Sequence, residues 1–593
     1  ATTMAIVAVF LPVAFMEGMV GKFFFEFGLT VAVAVLISLF VSFTLTPMLC
    51  SRLLKETPSR PNALYRALGW MLDGLDTGYR KLIGGALRFR WLTVLLALGV
   101  FALGIYMAGG IKTEMMGAMD TAEVDVRVKL PVGTALAETE RVAAEVAQRI
   151  RAHKQVLTTV TQVGSDPQKK QHLGKVYVKL RDKDQRQLSQ SKIIAELRKD
   201  LADVQGAEIQ INPFGIMARD AGMRAATVEV NLRGDDLEEL TRHAQAMIVE
   251  LQKIKGFTEF DISYEAGKPE VQVKIDRERA ARLGVPTVFV GQTLNALVGG
   301  VKATSFRQQG DDVEVRVRLL ASARRQAEQL KNLQVRSSSG SLVDLGSLAT
   351  FREGSGPAQI DREQRSRQVV LFASVAKTFA QSEAMQRIEE VSAKVLPAGT
   401  HMSFGGMGRD MKKSFKAMFT ALILAVLIIY MLLASQFESF IHPLTIMMAL
   451  PLSVPGALGA LNLSGQPMSI FAMIGFIMLM GLVTKNSILL VDYTNVLRRR
   501  DGLSQREALL KAGPTRLRPI LMTTAAMIFG MLPIALGNSM GSELRSPMGI
   551  AVIGGLVFST LLTLVVVPVI YSLLDDLAGL FSRNKISVAV TET

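Results

Sequence analysis

Apolar runs of membrane length crowd both ends of this 593-residue sequence and leave its middle alone. In hydrocarbon, backbone N–H and C=O groups must be satisfied within the chain, so such runs fold as membrane-spanning helices. They fall at Phe27 to Cys50, Trp91 to Ala108, Ala417 to Leu433, Pro443 to Leu463, Met468 to Asp492, Pro519 to Leu536 and Met548 to Leu574. Residues 3 to 17 read as the end of one more. From Ile111 to Lys412 the sequence is charged and alternating, with no membrane-length run. The chain is therefore an integral membrane protein with one large soluble part, in line with 49% hydrophobic residues.

The formal net charge of +15 does not point to nucleic acid, because its basic residues gather beside the apolar runs. Arg52, Lys55, Arg60, Arg66, Arg80, Lys81, Arg88 and Arg90 lie between two of them, and a second basic loop covers Arg498 to Arg518. That is the bias of cytoplasmic loops. Leu64, Leu68, Trp70, Met71 and Leu75 give the first segment an amphipathic middle, which predicts a helix on the membrane surface. The single cysteine, Cys50, excludes an internal disulfide framework. Triads, metal-ligand spacings and phosphate loops are lacking, so neither an enzyme nor a cofactor is expected. Gly481 to Ser487 looks like a phosphate loop only until Thr484 is found where the second glycine belongs.

The run from Phe471 to Asp492 carries Lys485 and Asn486 inside otherwise apolar helix. An ionised lysine near a bilayer centre costs about 2.5 to 3.5 kcal/mol, so it is retained where a carboxylate or a proton pathway uses it. Snorkelling would require its stem to reach past Ile488, Leu489, Leu490 and Val491. Lys485 is the first functional candidate.

An internal repeat frames it. Thr2-Thr3 and Leu11-Pro12-Val13-Ala14 recur 521 positions on as Thr523-Thr524 and Leu532-Pro533-Ile534-Ala535, and Gly28 recurs as Gly549. Two tandem copies of one unit are implied, the sequence holding the tail of the first and all of the second. On the order of 430 further residues are expected upstream by the same repeat logic, among them the counterpart of the Lys485 helix.

The soluble part contains two similar passages. The first reads as strand Glu123 to Leu130, helix Ala135 to Arg151, strands Val156 to Val163 and Lys175 to Leu180, helix Ser189 to Leu201 and strand Glu208 to Asn212, a βαββαβ unit. The second begins with strand Thr227 to Leu232, helix Leu237 to Ile254 and a strand near Glu259 to Tyr264. It resumes, after an insertion, with strand Gln368 to Val375, helix Ser382 to Val395 and strand His401 to Phe404. The insertion carries a hairpin expected over Val301 to Gly310.

One helix, a large outer domain, five helices and the whole duplicated resembles the resistance-nodulation-division (RND) permeases, in their hydrophobe/amphiphile efflux branch. The residues that carry the likeness are Gly481 to Asp492, Arg516 to Thr524, Gly549 to Gly555 and Leu432 to Pro443. The resemblance implies a membrane α-helical bundle of RND type, the second six-helix half plus the last two helices of the first half. A large α+β periplasmic domain of ferredoxin-like βαββαβ subdomains completes it. Residues 1–50 are then the end of the first half, 51–90 a cytoplasmic amphipathic segment and 91–110 a membrane helix. Residues 111–222 form one porter subdomain, 223–267 and 355–410 a second, and 268–354 an inserted docking subdomain. Residues 413–576 are five membrane helices and 577–593 a cytoplasmic tail.

The resemblance further implies a proton-driven antiporter of the bacterial inner membrane. It would work as a homotrimer with a periplasmic adaptor protein and an outer-membrane channel, exporting amphiphilic or hydrophobic compounds. By motif, Lys485, Asn486, Arg516 and Thr523 form its proton relay, the lysine pairing with aspartates of the first half. Arg516 and Thr523 are seven residues apart, on nearly one helix face; an arginine there also suits a positive-inside anchor. Val301, Lys302 and Phe306 sit on the docking hairpin. The alternative is a non-pumping subunit of a heteromeric complex or a lipid-sensing relative.

The substrate path departs from multidrug members, which carry phenylalanines on the loop after the second strand. Here Gly164 to Gly174 has none and offers Asp166, Lys169, Lys170 and His172, with Phe214 and Met217 further along. These suit a charged or amphiphilic substrate, or else a solvated hairpin. A soft-metal site needs thioethers close together, and Glu123 to Leu130 contains none, so metal export is not expected.

Overall fold

The computed structural model describes residues 2–16, 18–53, 63–117, 119–165, 169–214, 226–265, 267–356, 359–376, 379–537, 539 and 541–589. Seven helices among them are long and apolar enough to cross a membrane. The chain opens with α1 (Thr2–Ala14) and α2 (Gly18–Leu53), followed by α3 (Ala63–Arg88) and α4 (Arg90–Ala108).

Subdomain one is β1 (Glu123–Lys129), α5 (Leu136–Arg151), β2 (Val156–Val163), β3 (Leu173–Leu180), α6 (Gln190–Asp200) and β4 (Glu208–Pro213). Its antiparallel sheet runs β2-β3-β1-β4. The alternation of β1 explains its placement: Val124, Val126 and Val128 are buried against Val142, Val146 and Leu197 of the helices, which leaves Glu123, Asp125, Arg127 and Lys129 on the opposite face.

Subdomain two starts with β5 (Val228–Gly234), α7 (Leu237–Gln252) and β6 (Phe257–Ile262). The insertion follows: β7 (Lys268–Ile275), α8 (Arg277–Arg282), α9 (Thr287–Leu294), β8 (Val301–Gln308), β9 (Asp311–Val317), α10 (Ala327–Lys331), β10 (Gln334–Arg336), β11 (Leu342–Asp344), α11 (Leu345–Leu348) and β12 (Ala349–Gly356). The chain returns through β13 (Asp361–Glu363), β14 (Ser366–Val375), α12 (Gln381–Val395) and β15 (His401–Gly405). β14 is central, with β5, β6 and β13 paired to it and β15 beyond β5. β7 and β12 form a two-stranded stalk for the insertion. The hairpin turns at Gln309-Gly310, both at positive φ (53° and 94°), a two-residue turn that matches strand twist. Its second strand is therefore β9, extending the expected hairpin beyond Gly310.

The remaining helices are α13 (Gly406–Phe437), α14 (Ile441–Met447), α15 (Ala449–Leu463), α16 (Ile470–Arg500), α17 (Gln505–Leu536) and α18 (Ser542–Ala589). The second basic loop shrinks to four residues, because α17 begins at Gln505 under a capping box of Ser504 and Glu507. Apolar periodicity stops there, but helix does not.

The repeat is a repeat of packing. A Cβ on Gly28 would lie 3.0 Å from Ala14 Cβ, and one on Gly549 would lie 2.8 Å from the backbone N of Ala535. The two pairs are equivalent under the same 521-residue offset, and each glycine permits a close helix crossing. α3 turns Tyr79, Ile83 and Leu87 inward, while Trp70 is 82% exposed. Tyr79 donates to the Leu564 carbonyl at 2.7 Å, the acceptor that Pro568 leaves without its helical N–H.

Candidate functional site

α16 is capped by Ser469, whose side chain accepts from the Ala472 N–H. Gly481 faces Ile6 and Val9 of α1, with 3.7 Å between its would-be Cβ and their atoms. Lys485, one turn on, shares that face and is half-buried. Among the described residues no hydrogen bond or ion pair reaches it.

Asn486 is buried and donates through Nδ2 to Thr560 Oγ1 of α18 at 3.4 Å, and Thr560 Oγ1 lies 3.2 Å from Thr524 Oγ1 of α17. Three helices thus meet in one polar chain beside Lys485. Asn486 Oδ1 and Ser487 Oγ are buried with no hydrogen-bond partner among the described residues. Thr523 is not in this chain; its hydroxyl donates to Ile520 O of its own helix at 3.1 Å. Arg516 lies with its guanidinium 4.5 Å from the centre of the Tyr493 ring. Of the four expected relay residues, the structure brings Asn486 beside α17 and α18 and holds Arg516 against α16. Thr560 and Thr524 were missed, and the available signal was a set of hydroxyls at Ser559, Thr560 and Thr563 within an apolar run.

At the bundle end remote from the sheets, Arg498 donates to Tyr571 Oη and to Asp575 Oδ1, both at 2.9 Å. Tyr571 donates to Asn495 at 2.7 Å and Gln505 to Asp575 Oδ2 at 2.9 Å. Arg518 pairs with Asp73 and Asp76 of α3, each at 2.6 Å. These links tie α3, α16, α17 and α18 together.

The two βαββαβ subdomains meet along a row of ion pairs. Carboxylates on and after β6 face cations of subdomain one: Glu259 with Arg198 at 2.9 Å, Asp261 with Lys129 at 2.7 Å, and Glu265 with Lys170 at 3.2 Å and His172 at 3.1 Å. Burial pushes the Glu259 carboxyl up, with Arg198 opposing. Lys170 and His172 are therefore held by subdomain two, and Lys169 is exposed beside them. Asp166 and Met217 lie outside the described residues.

Phe214 packs edge-on against Tyr177 at 5.6 Å, with Lys175 Nζ 5.7 Å from its ring centre. Asp125, on the same polar face of the sheet, has its carboxyl pushed up by burial, with Lys175 3.3 Å away opposing. This amphipathic sheet face was readable from the charged alternate positions of β1, but Tyr177 was not singled out. On the hairpin, Val301 and Phe306 are exposed and Lys302 pairs with Glu314 at 3.1 Å. Among the described residues no group of three or more His, Cys, Asp or Glu could hold a metal ion.

The described residues thus combine a helical bundle with repeated packing, a lysine within it and two βαββαβ subdomains. The model of the AcrB/AcrD/AcrF family matches residues 1–575, and the chain belongs to that family of RND permeases. Two crystal forms of a heavy metal efflux pump share the fold, with TM-scores of 0.84 and 0.82 at 23% identity. They match 97% and 96% of this chain, which spans 57% and 56% of theirs.

Proposed function

We propose that this chain forms the second half of a proton-driven efflux permease of the bacterial inner membrane, with Lys485 as its half of the proton site. The observation that carries this reading is the polar chain Asn486–Thr560–Thr524 beside Lys485, within otherwise apolar, buried helix. Protonation of a carboxylate opposite Lys485 removes the ammonium's partner, and the helices repack until it finds another acceptor. One proton crossing 100 mV supplies about 2.3 kcal/mol. Arg516 and Thr523 flank the same route on α17.

The substrate is an amphiphilic compound taken up at the Tyr177–Phe214 face, whose ring pair and flanking Lys175 and Asp125 suit an apolar body with a polar end. Lys169, Lys170 and His172 border that path. The hairpin bearing Val301, Lys302 and Phe306 serves assembly of a homotrimer that works with a periplasmic adaptor and an outer-membrane channel. A second reading, metal export, is favoured by the named activity of the two structural neighbours.

In a pump-deficient host, the complete transporter is expected to raise tolerance to amphiphilic dyes and detergents and leave copper and zinc tolerance unchanged. Lys485→Met should abolish the gain with expression intact. Tolerance to metals alone would replace the amphiphile reading, and full export by Lys485→Met would remove the relay.

A further inference from the structure

The extended segment Lys112–Met115, which follows α4, is hydrogen-bonded on two sides. On one side Met468 N donates to Lys112 O at 2.7 Å, Glu114 N to Met468 O at 3.2 Å and Ile470 N to Met115 O at 3.3 Å. These bonds attach it to Met468, just before the cap of α16, and to Ile470, the first residue of that helix. On the other side Ser382 N donates to Thr113 O at 3.2 Å, and Gln381 Oε1 accepts from Met115 N at 3.1 Å. Gln381 Nε2 donates in turn to Thr227 O, at the entry to β5, at 3.0 Å. Met115 has no exposed surface and Gln381 is 4% exposed.

One short extended segment therefore joins the helix that bears Lys485 to the start of α12 in subdomain two. We infer that Lys112–Met115 transmits movement of α16 to subdomain two, and that Gln381 is the positioning residue that fixes the segment to that subdomain. The inference rests on the proposed proton site. A helix is stiff along its axis, and Ile470 stands about 22 Å from Lys485 at 1.5 Å per residue, so an axial shift at the lysine arrives at Met468 and Ile470 undiminished. Backbone bonds pass it to Met115. The buried amide of Gln381 then acts as a two-ended clamp, since losing it would leave the Met115 N–H and the Thr227 C=O both unpaired. Other links between the layers differ: Lys183–Glu543, at 2.6 Å, reaches α18, and β15 runs straight into α13. Neither is a bond to α16 itself, although α13 and α18 both pack against it.

The test uses the complete transporter in proteoliposomes, reading substrate export and protons taken up per substrate moved. Gln381→Leu is expected to cut export at least tenfold while proton uptake persists, so that protons per substrate rise. Gln381→Glu keeps the acceptor for Met115 and loses the donor to Thr227, and should raise the ratio by a smaller factor. Lys485→Met should stop both fluxes. An unchanged ratio in Gln381→Leu overturns the inference, including when export falls only with the amount of folded protein. If that variant fails to fold, an unchanged ratio in Gln381→Glu overturns it equally. Undiminished fluxes in Lys485→Met would instead defeat the proton site itself.

Discussion

Thr560 shows how little a buried hydroxyl announces itself. Lys485 could be found from sequence because a charge inside an apolar run is costly, whereas threonine is common in membrane helices and usually bonds its own backbone, as Thr523 does. Only packing reveals that Thr560 joins Asn486 to Thr524. Thr560→Val would leave the buried Asn486 amide without that acceptor, at a cost of about 1–3 kcal/mol. It should lower thermal stability and shift the pH profile of export, while Thr560→Ser stays near the parent; a thermal melt and an export–pH curve decide this. In subdomain one, burial alone would raise the Asp120 carboxyl. The hydrogen bond from Arg186 and the backbone N–H groups of Gln190 and Ala122 together outweigh burial and hold it below its ordinary range. A lowered carboxyl stabilises the fold fully above the ordinary value of about 3.9 and loses that contribution as pH falls through the lowered one. Asp120→Asn should therefore melt earlier at pH 7, with a gap that narrows as the medium is acidified.

At the scale of elements, the βαββαβ units were readable almost to the residue. Strict alternation such as that of β1 allows one register, and the helices bury one stripe. The start of α17 was not readable, because Gln505 to Arg518 is polar helix held by a cap and by Arg518's pairs with α3. The inward face of α3 was equally hidden, since its strongest apolar signal, Trp70, points away from the protein. Tyr79→Phe keeps that packing and deletes the donor to Leu564 O, so it should cost about 1–3 kcal/mol, visible as an earlier melt. Gly549→Val should do more harm, because even a Cβ comes within 2.8 Å of the Ala535 backbone. Loss of assembled protein on size-exclusion chromatography is the expected outcome.

For the whole molecule, the order of layers and the repeated helix crossing at Gly28 and Gly549 were legible in the sequence, and the connections between layers were not. The ion pairs between the two βαββαβ subdomains unite residues far apart in the chain, and so does the extended segment linking α16 to α12. The partner of Lys170 and His172 was hidden because Glu265, their carboxylate, lies in the other subdomain. Breaking a buried pair from one side costs about 3–5 kcal/mol, so Glu265→Gln should loosen the two subdomains and speed hydrogen exchange along β6. All of this machinery matters only if Lys485 carries the proton coupling. The most direct measurement is proton uptake, followed with a pH-sensitive dye in proteoliposomes of the complete transporter as substrate is exported. Lys485→Met should show neither proton uptake nor export while remaining folded and assembled, and proton-coupled export at the parental rate would contradict the assignment.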